Sequence, residues 1–181
     1  MHPRLTEVIE HADHARLVLL AALDAIPAPL QEARPTEEAW SAAEVIEHLA
    51  RVERGIAKLH AMKVAELKAL PVIPRESAVL EAMDTAKFAA VPERDTRLEA
   101  PERTRPTGEL SAHEARTMLL EVRRGYLEEL RASEGLALSV ATHPHPFLGT
   151  LDMYEWVYFI GSHELRHAAQ LREIAAHFAT S

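Results

Sequence analysis

At 181 residues, 48% of them apolar, the chain has the size of one domain and too much apolar content for a disordered one. A formal charge of −8 argues against nucleic-acid binding, which needs clustered lysine and arginine to neutralise phosphates. The absence of cysteine excludes disulfides, thiolate metal sites, iron–sulfur clusters and a cysteine nucleophile, and leaves eleven histidines as the soft metal ligands.

The opening Met1-His2-Pro3-Arg4 lacks the charged-then-apolar layout of a secretory signal. The longest apolar run, Leu17 to Leu23, is seven residues, far short of the ~20 that span a bilayer. The expectation is a single cytoplasmic domain over residues 1–181, with a small-molecule substrate, no nucleic acid and no membrane.

Leu5, Val8, Ile9, Ala12, Leu19, Leu20, Leu23 and Ile26 recur at helical steps and predict a first helix that ends at Pro27 and Pro29. The second helix opens on a capping box, Ser41 with Glu44, stapled by Trp40 and Val45, and its stripe runs Val45, Leu49, Val52, Ile56, Leu59 before fading ahead of Pro71. Glu76 to Ala90 read as a weaker helix through Val79, Leu80, Met83 and Phe88, and residues 91–110, rich in Pro, Arg and Glu, as irregular crossover. A second box, Ser111 with Glu114, starts a helix that buries Ala115, Met118, Leu119, Val122, Tyr126 and Leu130 and stops at Gly135. A third, Asp152 with Glu155, starts the last helix, lined by Met153, Trp156, Ile160, Leu171, Ile174 and Phe178. Alternation is absent and no strand is expected. The class is all-α: a four-helix bundle with one long crossover, about 71–110, carrying a short extra helix between helices two and three.

Three histidines fall on apolar faces. His48 lies one turn from Val45 and Val52, and His163 and His167, four apart and so about 40° apart around the helix, share the direction of Trp156, Ile160, Leu171 and Ile174. Buried imidazoles need partners, and an i, i+4 pair joined by a third ring from another helix can hold one ion at ~2.0–2.1 Å. His2, His11, His14, His60, His113 and His177 read as solvated surface, and His143 and His145 as loop residues.

His163-Glu164-Leu165-Arg166-His167 is a literal H-E-x-x-H, the string of zinc peptidases, but it has no G-x-x-H continuation and no accompanying sheet, so peptidase is set aside. Glu164, about 100° from His163, flanks the site as a general base through water or as a rim charge. Arg166, on the other flank, either holds a carboxylate or pairs with Glu44 or Glu155. Gln170 bonds a ring nitrogen or a ligand, or is simply polar at the seam's edge. Glu44 is placed to orient His48 besides its capping duty, and Gly161 marks either close helix approach or ligand space.

Trp40-Ser41 with Glu44 and His48, the segment His145-Pro146-Phe147-Leu148-Gly149, and Glu155-Trp156 leading to His163-Glu164-x-Arg166-His167-x-x-Gln170 stand in an order that resembles the DinB/YfiT-like superfamily of metal-binding four-helix bundles, over residues 5 to about 178. The resemblance implies metal ligation by His48, His163 and His167, the trio that periodicity also selects. Three neutral imidazoles leave an open fourth position; zinc is expected first and nickel second. The resemblance further implies a metal-dependent transferase that uses a low-molecular-weight thiol on an electrophile such as a quinone, epoxide or alkyl halide. The alternatives are metal-assisted hydrolysis with Glu164 as base, and a non-catalytic stress-associated metal-binding protein, as a homodimer.

Overall fold

Three local signals in the sequence position the three best-defined helices. In a computed structural model that describes residues 1–94 and 99–180, α1 spans Pro3–Asp24, α2 Ala42–Lys68, α3 Ala112–Ala132 and α4 Met153–Ala179. All three expected capping boxes are formed, with Ser41, Ser111 and Asp152 accepting the backbone N–H of Glu44, Glu114 and Glu155, each glutamate reaching back. A lost cap residue costs about 0.5–2 kcal/mol, so each start is specified by residues within four positions of one another. α1 packs along α4 and α2 along α3, whereas α2 meets α4 over a shorter stretch. This is the expected four-helix bundle. No helix among the described residues is long and apolar enough to cross a membrane.

The core is divided. One apolar cluster gathers Leu5, Val8, Ile56, Tyr126, Leu130 and Ile160. The other gathers Leu19, Ile46, Leu49, Leu119, Leu171 and Ile174. Between them every helix turns a buried charge inward: Arg16, Glu53, Arg123 and Glu164.

Two expectations are corrected. Residues 76–90 form no α-helix; only a single 3-10 turn, Ala86–Phe88, stands there, anchored by buried Phe88. Helical carbonyl acceptors have been taken by tertiary partners: Ser77 O by His2 Nε2 at 3.0 Å and Glu81 O by Arg4 Nη2 at 2.5 Å. Glu76 is likewise held by Ser139, through its N–H at 3.1 Å and its hydroxyl at 2.8 Å. Second, a strand pair exists: β1 (Thr142–His145) runs antiparallel to β2 (Gly149–Asp152), with His145 opposite Gly149. A three-residue loop closes it, and Gly149 takes φ +75°, which glycine adopts without strain. His145 Nδ1 accepts the N–H groups of Phe147 and Leu148, both at 3.2 Å, so a side chain supplies the turn's acceptor. Where described, the crossover is irregular apart from a 3-10 turn at Glu102–Thr104, and residues 95–98 of the expected 91–110 segment lie outside the described residues.

The crossover's return is fastened to one face of α2. Glu47 accepts the Thr107 N–H at 2.9 and 3.0 Å and its hydroxyl at 3.1 Å, and Arg51 Nη2 donates to the Arg103 carbonyl at 3.4 Å. His48, between those two residues, donates from Nδ1 to the Thr104 carbonyl at 2.7 Å.

Candidate metal centre

The Ser41 cap sets where α2 begins, and seven residues on it turns His48 toward α4, buried to 4%. The Asp152 cap does the same for α4, which presents His163 and His167 one turn apart. The three rings meet, with centroids 5.4 Å (His48–His163), 5.0 Å (His48–His167) and 4.6 Å (His163–His167) apart. One ring nitrogen from each lies within 4.8 Å of the others.

The outer nitrogens decide which atoms face the centre. His48 Nδ1–H is held by the Thr104 carbonyl, and His167 Nδ1–H donates to Gln170 Oε1 at 2.8 Å. Both rings therefore carry their proton on Nδ1 and turn an Nε2 lone pair inward. His167 Nε2 and His163 Nε2 are 3.2 Å apart. Two ligands of a tetrahedral ion with bonds of ~2.0–2.1 Å stand about 3.3 Å apart, so the pair already has the separation of two donors on one ion. Burial lowers the basicity of all three rings. His163 falls well below the usual histidine value, with the His167 and His48 rings adding to the effect, and His167 falls to about 3. Each ring is thus neutral at physiological pH, the form that binds metal. On donor type and spacing the three residues fit a divalent ion, and His48 and His167 fit it in tautomer as well.

Aromatic walls flank the rings. Trp40 lies 5.1 Å from His48, and Phe159 stacks on His163 at 5.3 Å and 18°. His145, expected to be an incidental loop residue, packs 4.6 Å from Phe159 and 5.2 Å from Trp156. It is close enough to add to the depression of the His163 pKa. The sequence signal for it was its place in the pre-helix segment; the unforeseen hairpin is what brings it there.

Several flanking expectations change. Glu164 is no rim charge: it is 1% exposed and faces the bundle interior. Its Oε1 accepts from Arg16 Nε at 3.0 Å, Arg16 Nη2 at 2.5 Å and Arg123 Nη2 at 3.0 Å, while Oε2 is buried without a partner among the described residues. Burial outweighs the two arginines and raises its pKa. Glu53 completes the group, accepting from Arg16 Nη2 at 2.7 Å and from Arg123 Nε. The partners expected for Arg166 are engaged elsewhere, Glu44 with Arg34 and Glu155 with Lys87. Arg166 Nη1 reaches the Val91 carbonyl at 3.5 Å. Thr104, not Glu44, orients His48. Gln170 bonds a ring nitrogen, one of its three expected roles. Gly161 marks close approach: a Cβ there would stand 2.5 Å from His11 Cδ2 and 3.1 Å from the Ala12 backbone. His60, assigned to the surface, is 1% exposed.

The sequence profile of the DinB superfamily matches residues 11–171. The chain belongs to the DinB superfamily. It is 28% identical over 141 residues to YuaE of Bacillus subtilis (strain 168), a protein named as uncharacterized, covering 78% of this chain and 80% of YuaE. Its fold is similar to the crystal structure of TT2238, a four-helix bundle protein, with a TM-score of 0.60 at 22% identity over 93% of this chain and 98% of that one.

Proposed function

We propose that His48, His163 and His167 hold a divalent ion, zinc first and nickel second, and that the protein is a metal-dependent transferase joining a low-molecular-weight thiol to an electrophilic small molecule. The observation that carries the metal assignment is the convergence of three ring nitrogens within 4.8 Å, two of the rings having their outer nitrogens bound by Thr104 and Gln170. When bound by three neutral imidazoles, such an ion keeps its full charge and an open position, and lowers the pKa of a thiol or water that occupies it.

The protein's own residues supply the rest. Trp40 and Phe159 line two of the imidazoles with apolar surface, which strengthens electrostatic interactions by excluding water. Arg166, close enough to lower the basicity of His163 and His167, adds positive charge beside the site. The thiol proton passes to solvent, a sulfur–carbon bond forms, and the electrophile's carbon–oxygen or carbon–halogen bond breaks with its electron pair leaving on the oxygen or halide. With no cysteine in the chain, the sulfur comes from the cosubstrate. Hydrolysis needs a carboxylate free to take a proton at the open position, and Glu164 is turned instead toward Arg16 and Arg123, which favours the transferase.

The test uses protein purified without a histidine tag. Metal analysis should show about one divalent ion per chain, and His48→Ala, His163→Ala or His167→Ala should each abolish it. The loaded protein should accelerate conjugation of glutathione or L-cysteine to 1-chloro-2,4-dinitrobenzene or an epoxide. An unloadable protein sinks the metal assignment. A loaded protein silent across a broad panel of thiols and electrophiles sinks the transferase.

A further inference from the structure

The two helices that bring the imidazoles together touch over a short stretch, yet the ring nitrogens of α2 and α4 must agree to within a few tenths of an ångström to share an ion. Apolar contacts are non-directional and tolerate helix rotation. A rotation of about 20°, acting on a ring about 5–6 Å from the helix axis, moves it about 2 Å, a full ligand bond length. Something directional has to fix the phase of both helices.

The charged layer at the waist of the bundle is built to do so. Glu164 stands one residue after His163 and three before His167, so the rotation that aims this carboxylate into the bundle aims both rings at α2. Glu53 stands five residues after His48, about 7.5 Å along α2. Both guanidinium groups, Arg16 from α1 and Arg123 from α3, bond both carboxylates. All four side chains are 1–8% exposed. α2 and α4 are thereby tied to each other through two planar, directional bridges that start one residue from His163 on α4 and five residues from His48 on α2. We propose that Arg16, Glu53, Arg123 and Glu164 are positioning residues for the imidazole trio, and that the glutamate of the H-E-x-x-H string acts through His163 and His167 and not on substrate. This rests on the metal assignment above.

The experiment measures Zn²⁺ affinity by competition with a chromophoric chelator, and visible absorption of the Co²⁺ form, on the full chain. The fourfold variant Arg16→Met, Glu53→Leu, Arg123→Met, Glu164→Leu replaces the layer with apolar side chains. It should keep its far-UV circular dichroism while losing Zn²⁺ affinity by about 10-fold, the low end of what a lost direct partner of a ligand costs, since these four act on the rings only through the helix backbones, with an altered Co²⁺ band. Glu164→Gln, the smaller change, should lose Zn²⁺ affinity in the same direction, and it decides the question if the fourfold variant does not fold. A folded fourfold variant, or Glu164→Gln, that binds Zn²⁺ as tightly as the unaltered chain with an unchanged Co²⁺ spectrum overturns the proposal; a general base would show that result together with lost turnover. If the unaltered chain takes up neither ion, the metal assignment itself has failed, an outcome distinct from either.

Discussion

His60 lies on α2 with 1% of its surface exposed, its Nε2–H donating to Ser133 Oγ at 3.1 Å and its Nδ1 without a partner among the described residues. Burial lowers its pKa from 6.5 to about 4. The unfolded chain therefore binds the proton more readily, and the stability this histidine allows at neutral pH is lost as pH falls from 6.5 toward 4, by up to about 3 kcal/mol. His60→Leu should flatten the pH dependence of the urea midpoint across that window relative to the unaltered chain. Ser133 Oγ still donates to the Leu130 carbonyl in that variant, so it is not stranded. Parallel curves for the two proteins would refute the assignment. Gln170 offers a second residue-level prediction: Gln170→Ala frees the His167 ring and should weaken Zn²⁺ binding about 10-fold or more, read by chelator competition. The imidazole trio was legible in the sequence because two of its members share one helix face at a spacing of four. His60 was not, since Tyr126 and Ser133, which pack on it and bond it, are remote in the chain.

Among the elements, the helices with capping boxes were legible because their signals lie within four residues of each other and need no partner. The hairpin and the 76–90 segment were misread for the opposite reason. The hairpin is held by a histidine ring that accepts two amides and by a glycine at positive φ, neither of which gives an alternating apolar pattern. The 76–90 segment has helix-forming composition, but its carbonyls and Glu76 are held by α1's first turn and by Ser139. The α1–α4 contact gives a paired prediction. Gly161→Ala gains about 1 kcal/mol of helix propensity, but its Cβ meets the His11 ring at 2.5 Å and the Ala12 backbone at 3.1 Å. His11 is itself stacked on Tyr158 at 3.8 Å and has little room to yield. Overpacking of this kind costs about 1–3 kcal/mol, so the net effect should be destabilising. Gly125→Ala, in α3 with nothing within 4 Å of its new Cβ, should instead stabilise by about 0.5–1 kcal/mol. Urea unfolding of the two variants should shift the midpoint in opposite directions.

For the whole molecule, the charged waist separates two apolar clusters that could otherwise merge into one continuous core. The periodic stripes read from the sequence ran past Arg16, Glu53 and Arg123, and Glu164 was read toward the wrong surroundings, because a charge inside a bundle is visible only when its partners on other helices are known. Energetically the arrangement is asymmetric. Intact, two arginines face two glutamates, and five guanidinium–carboxylate contacts offset part of their desolvation, although at Glu164 burial still wins. Remove Arg123, and Glu53 and Glu164 are left buried with Arg16 alone between them. Breaking a buried pair in this way costs about 3–5 kcal/mol, whereas replacing the whole group by apolar side chains of similar volume is commonly neutral or stabilising by about 1–4 kcal/mol. Arg123→Met should therefore lower the urea midpoint sharply, and the fourfold apolar variant should match or exceed the unaltered chain. If the fourfold variant were the less stable of the two, the layer would be a net source of stability. The expected order separates stability from geometry: a molecule that becomes more stable while losing its metal would show that the charges are kept for the alignment of the helices.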